Sequence, residues 1–497
     1  MDRPNILFIM TDQQRFDCVG ANGNKIIQTP NLDRLAARSA NFSHCFVQSP
    51  VCTPSRACFF TGRYAHAHQN RVNYTPIKSD EVLMPGLLQE AGYRTGIVGK
   101  SHVYYRYPPM TEEGHRIGFD IVELHDGVGS TDLWSAYTKW RNENDPLRDI
   151  CRYRALAKNV DQLKKQLPTN ANPFRAAIDE QFTDTTWVGQ RTCHHLKELA
   201  SGDRPFFLFS SFWKPHSPFE VPEPFDALYN DVNIPLAKQV TLDEIQQLPL
   251  PLQTLILRDN NTEYKMDRER LEWIYRSYYG CISHIDREVG RMLATLEETG
   301  LEENTIVVFT SDHGDQLLEH GLMGKNTFFE ASIRVPFMIS YPGTIKPGSH
   351  EEFIETVDLL PTLFEMIGLP EPYHCQGRSM VSLITKSGRP YESRDEVFSE
   401  NIIPEVFQVN HFRFDKGKGI KGIRHPDAKM VRTRRWKYNY YPEGYAELYD
   451  LENDPLEHQN VADDPKNKAV VDDLRGRILD WLITSMETEQ IAPTWLI

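Results

Sequence analysis

No stretch of this 497-residue chain approaches the roughly 20 consecutive apolar residues of a membrane span. The N-terminus passes almost at once into Ile6–Met10, a run too short for the apolar centre of a signal peptide. A soluble protein without a membrane partner is therefore expected, either cytoplasmic or exported with its signal removed. The eight cysteines, at 18, 45, 52, 58, 151, 193, 281 and 375, include no CxxC pair. That absence excludes zinc-ribbon and disulfide-scaffold readings and predicts mostly reduced, buried thiols. Positive charge is in deficit, with 55 Lys plus Arg against 69 Asp plus Glu, a net charge of −14. Such a field repels polyanions, so no nucleic-acid partner is expected. A small anionic ligand stays compatible, because a cationic pocket can oppose the global sign over less than about 8–10 Å. Internal repeats and low-complexity tracts are also missing.

The composition present is that of a globular protein: 40% hydrophobic, 11% aromatic and 25% charged. Short apolar runs at Asn5–Met10, Thr95–Val98, Pro205–Phe212 and Thr305–Thr310, bounded by Gly, Asp, Ser or Pro, predict buried parallel strands. Helical spacing lies between them. Pro30 can open a helix with Leu32, Leu35 and Ala36 on one face, and Ile274, Tyr278, Ile282, Ile285, Val289, Met292 and Leu296 mark a long helix over about 267–299 that stops at Gly300. This alternation predicts an α/β fold, a large, mostly parallel sheet flanked by helices, across residues 1–385. After about residue 385 the texture changes. Met430–Thr433, Trp436–Tyr441 and Glu447–Leu451 read as short strands followed by a helix near 467–486, a small antiparallel α+β subdomain over 386–497. Residues 135–175 and 235–270 fit no alternation and read as excursions from the core.

Ligands of open α/β sheets bind beyond the carboxyl ends of the strands. The residues that leave the proposed strands are Asp12, Lys100 with His102, His216, and Asp312 with His313. Folding requires none of these at a strand end, so their coincidence there marks a candidate active site. Asp12, Asp312 and His313 offer hard oxygens and one imidazole from two strand ends, a donor set for a divalent ion. Lys100 and His102 alternate along an extended segment, so a local turn is needed for both to reach one ligand. The stretch Cys52-Thr53-Pro54-Ser55-Arg56, continuing to Thr61-Gly62-Arg63, places Cys52 just before a helix that Pro54 can start, where free amides favour an anion.

Cys-x-Pro-Ser-Arg followed by Thr-Gly-Arg resembles the signature of the formylglycine-dependent (type I) sulfatases of the alkaline phosphatase superfamily. The resemblance covers nearly the whole chain. Asn5–Asp12, Gly99-Lys100-Ser101-His102, Lys214-Pro215-His216, Thr310–Asp315 and Gly324-Lys325 follow the family's order, and Glu447–Leu451 with Asp454-Pro455 is similar to its small domain. It implies an alkaline phosphatase-like fold and a sulfuric ester hydrolase. A formylglycine-generating maturation enzyme would oxidise Cys52 to formylglycine (3-oxoalanine), whose hydrate supplies the nucleophile. It also implies one divalent metal on Asp12, Asp312, His313 and the modified Cys52, with Ca²⁺ first and Mn²⁺ or Mg²⁺ as alternatives. Arg56 would hold the hydrate, Lys100 and Lys325 would bind sulfate, His102 would take the hydrate proton, and His216 would approach the leaving oxygen. Where many sulfatases carry two consecutive aspartates this chain has Asp12-Gln13, and Gln13 brings no charge.

The implied reaction is in-line attack on sulfur, with metal, Lys100 and Lys325 spreading the developing charge. A sulfated carbohydrate is the leading substrate, because the two excursions could build subsites. The alternative is a formylglycine-dependent phosphonate monoester or phosphodiester hydrolase. His66 and His68 are candidate substrate contacts. The basic residues between Lys139 and Lys165, and those from Arg413 to Lys429, read as solvated faces or as subsites for a polysulfated sugar.

Overall fold

The computed structural model describes the chain apart from residues 1–2, 74, 105–116, 127–134, 146–173, 176–178, 239, 247, 249–251, 254–255, 257–267, 387, 403–426, 443 and 487–497. Much of both expected excursions, and most of the two basic stretches, lies outside the described residues; the described parts include short helices over Ala136–Asn144 and Leu242–Gln246.

The first part of the chain is built from β1 (Asn5–Asp12), α1 (Pro30–Ala37), β2 (Ala40–Phe46), α2 (Cys52–Thr61), α3 (Ala65–His68), α4 (Met84–Glu90), β3 (Arg94–Gly99) and β4 (Ile121–Leu124). It continues with α5 (Asp184–Leu199), β5 (Phe206–Pro215), α6 (Arg268–Glu298), β6 (Thr305–Ser311), β7 (Arg334–Ser340), β8 (Gly348–His350), β9 (Ile354–Glu355) and α7 (Leu359–Met366). The strands form one nine-stranded sheet in the order β8-β2-β7-β6-β1-β5-β3-β4, with β9 also on β2. Its heart, β6-β1-β5-β3-β4, is parallel, and β7 runs antiparallel to both β6 and β2.

Strand periodicity assigns β1 to both faces. Ile6, Phe8 and Met10 join a cluster containing Phe59, Phe60, Leu88, Leu359 and Leu363 from α2, α4 and α7, while Leu7 and Ile9 face Leu32, Trp187, Ile285 and Val289 from α1, α5 and α6. A strand covered on both sides has no room for a polar side chain until it ends, which is why its first carboxylate is Asp12. All seven apolar positions foreseen on the long helix are buried, and it gives way to Gly300 in a left-handed conformation.

The sequence pattern missed β2 and β7, whose strands belong to the antiparallel side of the sheet. Helix α2 has no exposed face: all ten of its residues are buried, including Arg56. Beyond the large sheet lie β10 (Glu396–Ile402), β11 (Asp427–Thr433), β12 (Trp436–Tyr440) and β13 (Ala446–Asp450) in antiparallel order, followed by α8 (Lys468–Thr484). Strand β10 was not foreseen. Among the described residues no helix is long and apolar enough to cross a membrane.

Candidate active site

The sheet order makes β6, β1, β5 and β3 neighbours, so Asp312, Asp12, His216 and Lys100 leave four adjacent parallel strands at one edge. Adjacent strands are about 4.8 Å apart, which gathers side chains from widely separated sequence positions. Helix α2 begins over the same edge, and Cys52 is its first residue rather than the residue before it. The backbone must approach closely here. Gly99 has φ +101°, and a Cβ there would lie 1.9 Å from the carbonyl oxygen of Ser211.

Ligand atoms of Asp12, Cys52, Asp312 and His313 all lie within 4.8 Å of one another, and all four residues are buried. His313 Nδ1 is 2.9 Å from the Gly314 carbonyl, which assigns the proton to Nδ1 and turns the Nε2 lone pair toward Cys52 Sγ at 3.3 Å. Burial lowers the His313 pKa to about 4, so the imidazole is neutral and able to ligate. Two carboxylates, one neutral imidazole and the Cys52 position are a donor set that fits a divalent cation. Gln13 holds a left-handed φ of 72° and donates its backbone N–H to Asp312 Oδ1 at 3.1 Å, while its side-chain amide donates to Asp315.

Cations surround this group. Lys325 Nζ lies 2.6 Å from Cys52 Sγ and 3.0 Å from His313 Nε2. Lys100 Nζ contacts Asp12 Oδ2 and sits 4.1 Å from the centre of the Trp213 ring. Burial by itself would raise the Asp12 pKa, but Lys100, His216, Lys325 and Arg56 outweigh it and hold the carboxylate well below its ordinary range. Burial and Asp12 likewise raise the Cys52 thiol, yet Lys100, Lys325 and the hydrogen bond to His216 bring it below the usual value. The contrast is local to this position. Burial pushes Cys18, Cys45, Cys58 and Cys193 upward, and takes Cys281 and Cys375 to about 12. Every described cysteine is free.

Arg56, one turn after Cys52, gives its hydrogen bonds to the neighbouring strand ends. Its Nε donates to Asp312 Oδ2 at 2.7 Å, Nη1 to Ser211 Oγ at 2.8 Å and to the Lys100 carbonyl at 3.0 Å, and Nη2 to Asp12 Oδ2 at 3.4 Å. The guanidinium thus ties the two carboxylates to each other, and its fork shape suits that task. Asp126 supplies the turn that Lys100 and His102 require: its Oδ1 accepts the backbone N–H groups of Ser101 at 2.7 Å and His102 at 3.0 Å, and His102 turns at φ 53°. Burial, Lys100 and Arg56 keep the His102 imidazole neutral, with a pKa well below the usual value. His216 Nδ1 lies 2.7 Å from the Ser217 carbonyl, leaving Nε2 for the site, and burial followed by Lys325 lowers its pKa.

Asp126, Ser211, Trp213 and Asn73, whose Oδ1 accepts from the Thr53 N–H at 3.0 Å, were not singled out from the sequence. No local pattern marks them. His66 and His68 do not join this cluster. His66 bridges Glu400 at 2.7 Å and Ser485 at 2.9 Å, and His68 Nε2 lies 3.4 Å from Cys58 Sγ. Their helix α3 is turned toward the C-terminal subdomain instead.

The family sequence description "Sulfatase" matches residues 4–369, and "N-sulphoglucosamine sulphohydrolase, C-terminal" matches residues 318–483. The chain is 30% identical to an arylsulfatase of Clostridium perfringens, across 95% of this chain and 93% of that one. It is 28% identical to the multifunctional alkaline phosphatase superfamily protein PehA of Trinickia caryophylli, over 97% and 96% of the two chains. Among solved structures, the phosphonate monoester hydrolase of Agrobacterium radiobacter superposes with a TM-score of 0.79 at 26% identity, covering 97% of this chain and 96% of that one.

Proposed function

The chain belongs to the sulfatase family, and from that premise we propose that it hydrolyses a sulfate monoester, with a sulfated carbohydrate as the substrate class, at the Asp12–Cys52–Asp312–His313 cluster. The observation that carries this reading is the pair of cations, Lys100 and Lys325, whose charges both act on Cys52, with neutral imidazoles at His102 and His216 in the same cluster. A terminal sulfate presents three non-bridging oxygens, so it can use two cationic donors and a metal at once. A diester places a second substituent where one of those donors would bind.

Asp12, Asp312, His313 and the Cys52 position would hold a divalent ion. Such an ion would draw charge from a sulfuryl oxygen, and formylglycine made from Cys52 would bring a hydroxyl nucleophile in its hydrated form. The chain's own residues do the rest. Arg56 fixes the two carboxylates in place through Asp312 and Asp12. Lys100 and Lys325 supply positive charge where it develops in the transition state. Burial alone would lower Lys325, but Cys52, Asp12 and Asp312 raise its pKa, so it stays protonated. His216, its Nδ1–H given to the Ser217 carbonyl, turns Nε2 to the site and must take up a proton there before it can pass one to the leaving oxygen, and His102 stands as a base for the nucleophile's proton.

A second reading, phosphonate monoester or phosphodiester hydrolysis, draws on the likeness to the Agrobacterium enzyme and on the uncharged Gln13 beside Asp12. Sulfated sugars, aryl sulfates, phosphonate monoesters and phosphodiesters assayed side by side on metal-loaded, Cys52-modified protein test both. The sulfatase reading expects the highest kcat/KM on a sulfate monoester. A faster phosphonate or phosphodiester reaction would replace it with the second reading.

A further inference from the structure

Trp213 lies in strand β5, two residues before its end at Pro215, and its ring is near both groups the reaction would use and groups it would not. Among the former, the Lys100 ammonium stands 4.1 Å from the ring centre, and the His216 ring is 5.0 Å away at 52°. Among the latter, His125 lies 6.1 Å away, itself 4.5 Å from Tyr137 and 3.5 Å from Asp184. The indole Nε1 is buried with no hydrogen-bond partner among the described residues. A residue there only to fill space would shed that unpaired donor by being Phe or Leu. Indole is, however, the side chain whose face attracts a cation most strongly.

We propose that Trp213 is a positioning residue that holds the Lys100 ammonium over its face, and so tunes affinity for the anionic group of the substrate. The proposal rests on the sulfate-ester reading of the site. Lys100 is 1% exposed, so its charge needs partners inside the protein. Asp12 is one, but Asp12 belongs to the metal-binding group and its charge would be shared with the ion. The ring face is a partner for which no metal competes. It also attracts the ammonium without accepting a hydrogen bond, so all three N–H donors stay available to Asp12 and to the oxygens of a bound anion. Without the ring, the ammonium would fall back on Asp12 and compete with the ion.

The experiment places tryptophan analogues bearing one, two, three or four ring fluorines at position 213 alone. Fluorine withdraws charge from the ring face while keeping its shape almost unchanged. Two quantities are read on metal-loaded protein: kcat/KM on whichever ester the wild type turns over fastest, and the affinity for inorganic sulfate and phosphate by calorimetry. Stepwise decline with each fluorine, summing to on the order of 10-fold, is expected in both. Trp213→Leu should lose at least as much in both quantities. A flat fluorine series, or a Leu variant whose only change is a lower Tm, would overturn the proposal. The wild-type row of the ester panel tests the sulfatase reading separately, because the fluorine series is scored on the preferred ester whatever its class, and the anion affinities need no turnover.

Discussion

Replacing Arg56 by Met separates two roles for this side chain, one on the nucleophile and one on the metal carboxylates. The Arg56, Asp12 and Asp312 side chains are all wholly shielded from solvent. Met fills similar space but leaves two carboxylates buried without their shared cation. Breaking a buried pair by removing one partner costs about 3–5 kcal/mol, roughly a 150- to 5,000-fold shift in the folding equilibrium. A divalent ion would restore the missing charge. The variant should therefore lose most of its stability in chelator and gain more from added Ca²⁺ or Mn²⁺ than the wild type does. Denaturant titrations of both proteins, with chelator and with saturating metal, measure the two increments. Arg56→Lys keeps the charge without the fork and should fall between them, which keeps the test open if the Met variant does not fold. Unchanged stability in chelator combined with lost activity would refute this reasoning and return Arg56 to a direct grip on the nucleophile.

At Cys52, peptide mass spectrometry of protein made with a formylglycine-generating enzyme should show an aldehyde or its hydrate there and at none of the other seven cysteines; full activity with an intact Cys52 thiol would defeat the assignment. His216→Ala should slow an alkyl or sugar sulfate by about 10²–10⁴-fold while sparing an activated aryl sulfate much more, since general-acid help matters only for a poor leaving group. Equal losses on the two substrates at unchanged melting behaviour would move the proton to Lys325. Glu288, on α6, is pushed to about 7 by burial despite Arg291 and Arg287. Its folded pKa lies above the unfolded value, so the stability it contributes is complete below about pH 4.5 and lost as pH rises through 7, up to about 3 kcal/mol. Glu288→Gln should then gain stability over the wild type at pH 8 but not at pH 5, and denaturation curves with parallel pH profiles would contradict the shift.

The strand exits were legible because they are local. A strand buried on both faces must be apolar for its length, so the first charged residue after each run, Asp12, Lys100 or Asp312, announces both an end and a functional edge. The Cys52 motif was legible for a similar reason: the helix start and the residues that resemble the family signature are contiguous. The long helix could be drawn to within a residue or two at each end from its spacing of three and four. Strands β2 and β10 escaped notice, since their runs are short and mixed with polar residues that only the finished sheet buries, and β7 has Pro336 inside its apolar run, which argues against a strand.

The amino-acid sequence by itself therefore determined the α/β class, the edge where chemistry gathers and most of the residues gathered there. Only the tertiary structure decided what each of those side chains touches. Arg56, read from the sequence as a partner of the nucleophile one turn away, also reaches across to Asp312, Asp12 and Ser211 at the ends of other strands. His66, close to the motif in sequence, is drawn off by Glu400 and Ser485, more than 300 residues later. Asp126 and Trp213 gained their places from the order β1-β5-β3-β4, which brings the ends of β4 and β5 beside Lys100. Periodicity along one segment fixes which face a residue occupies. The partner across that face comes from another part of the chain, and burial makes that partner the deciding term in where a charged side chain settles.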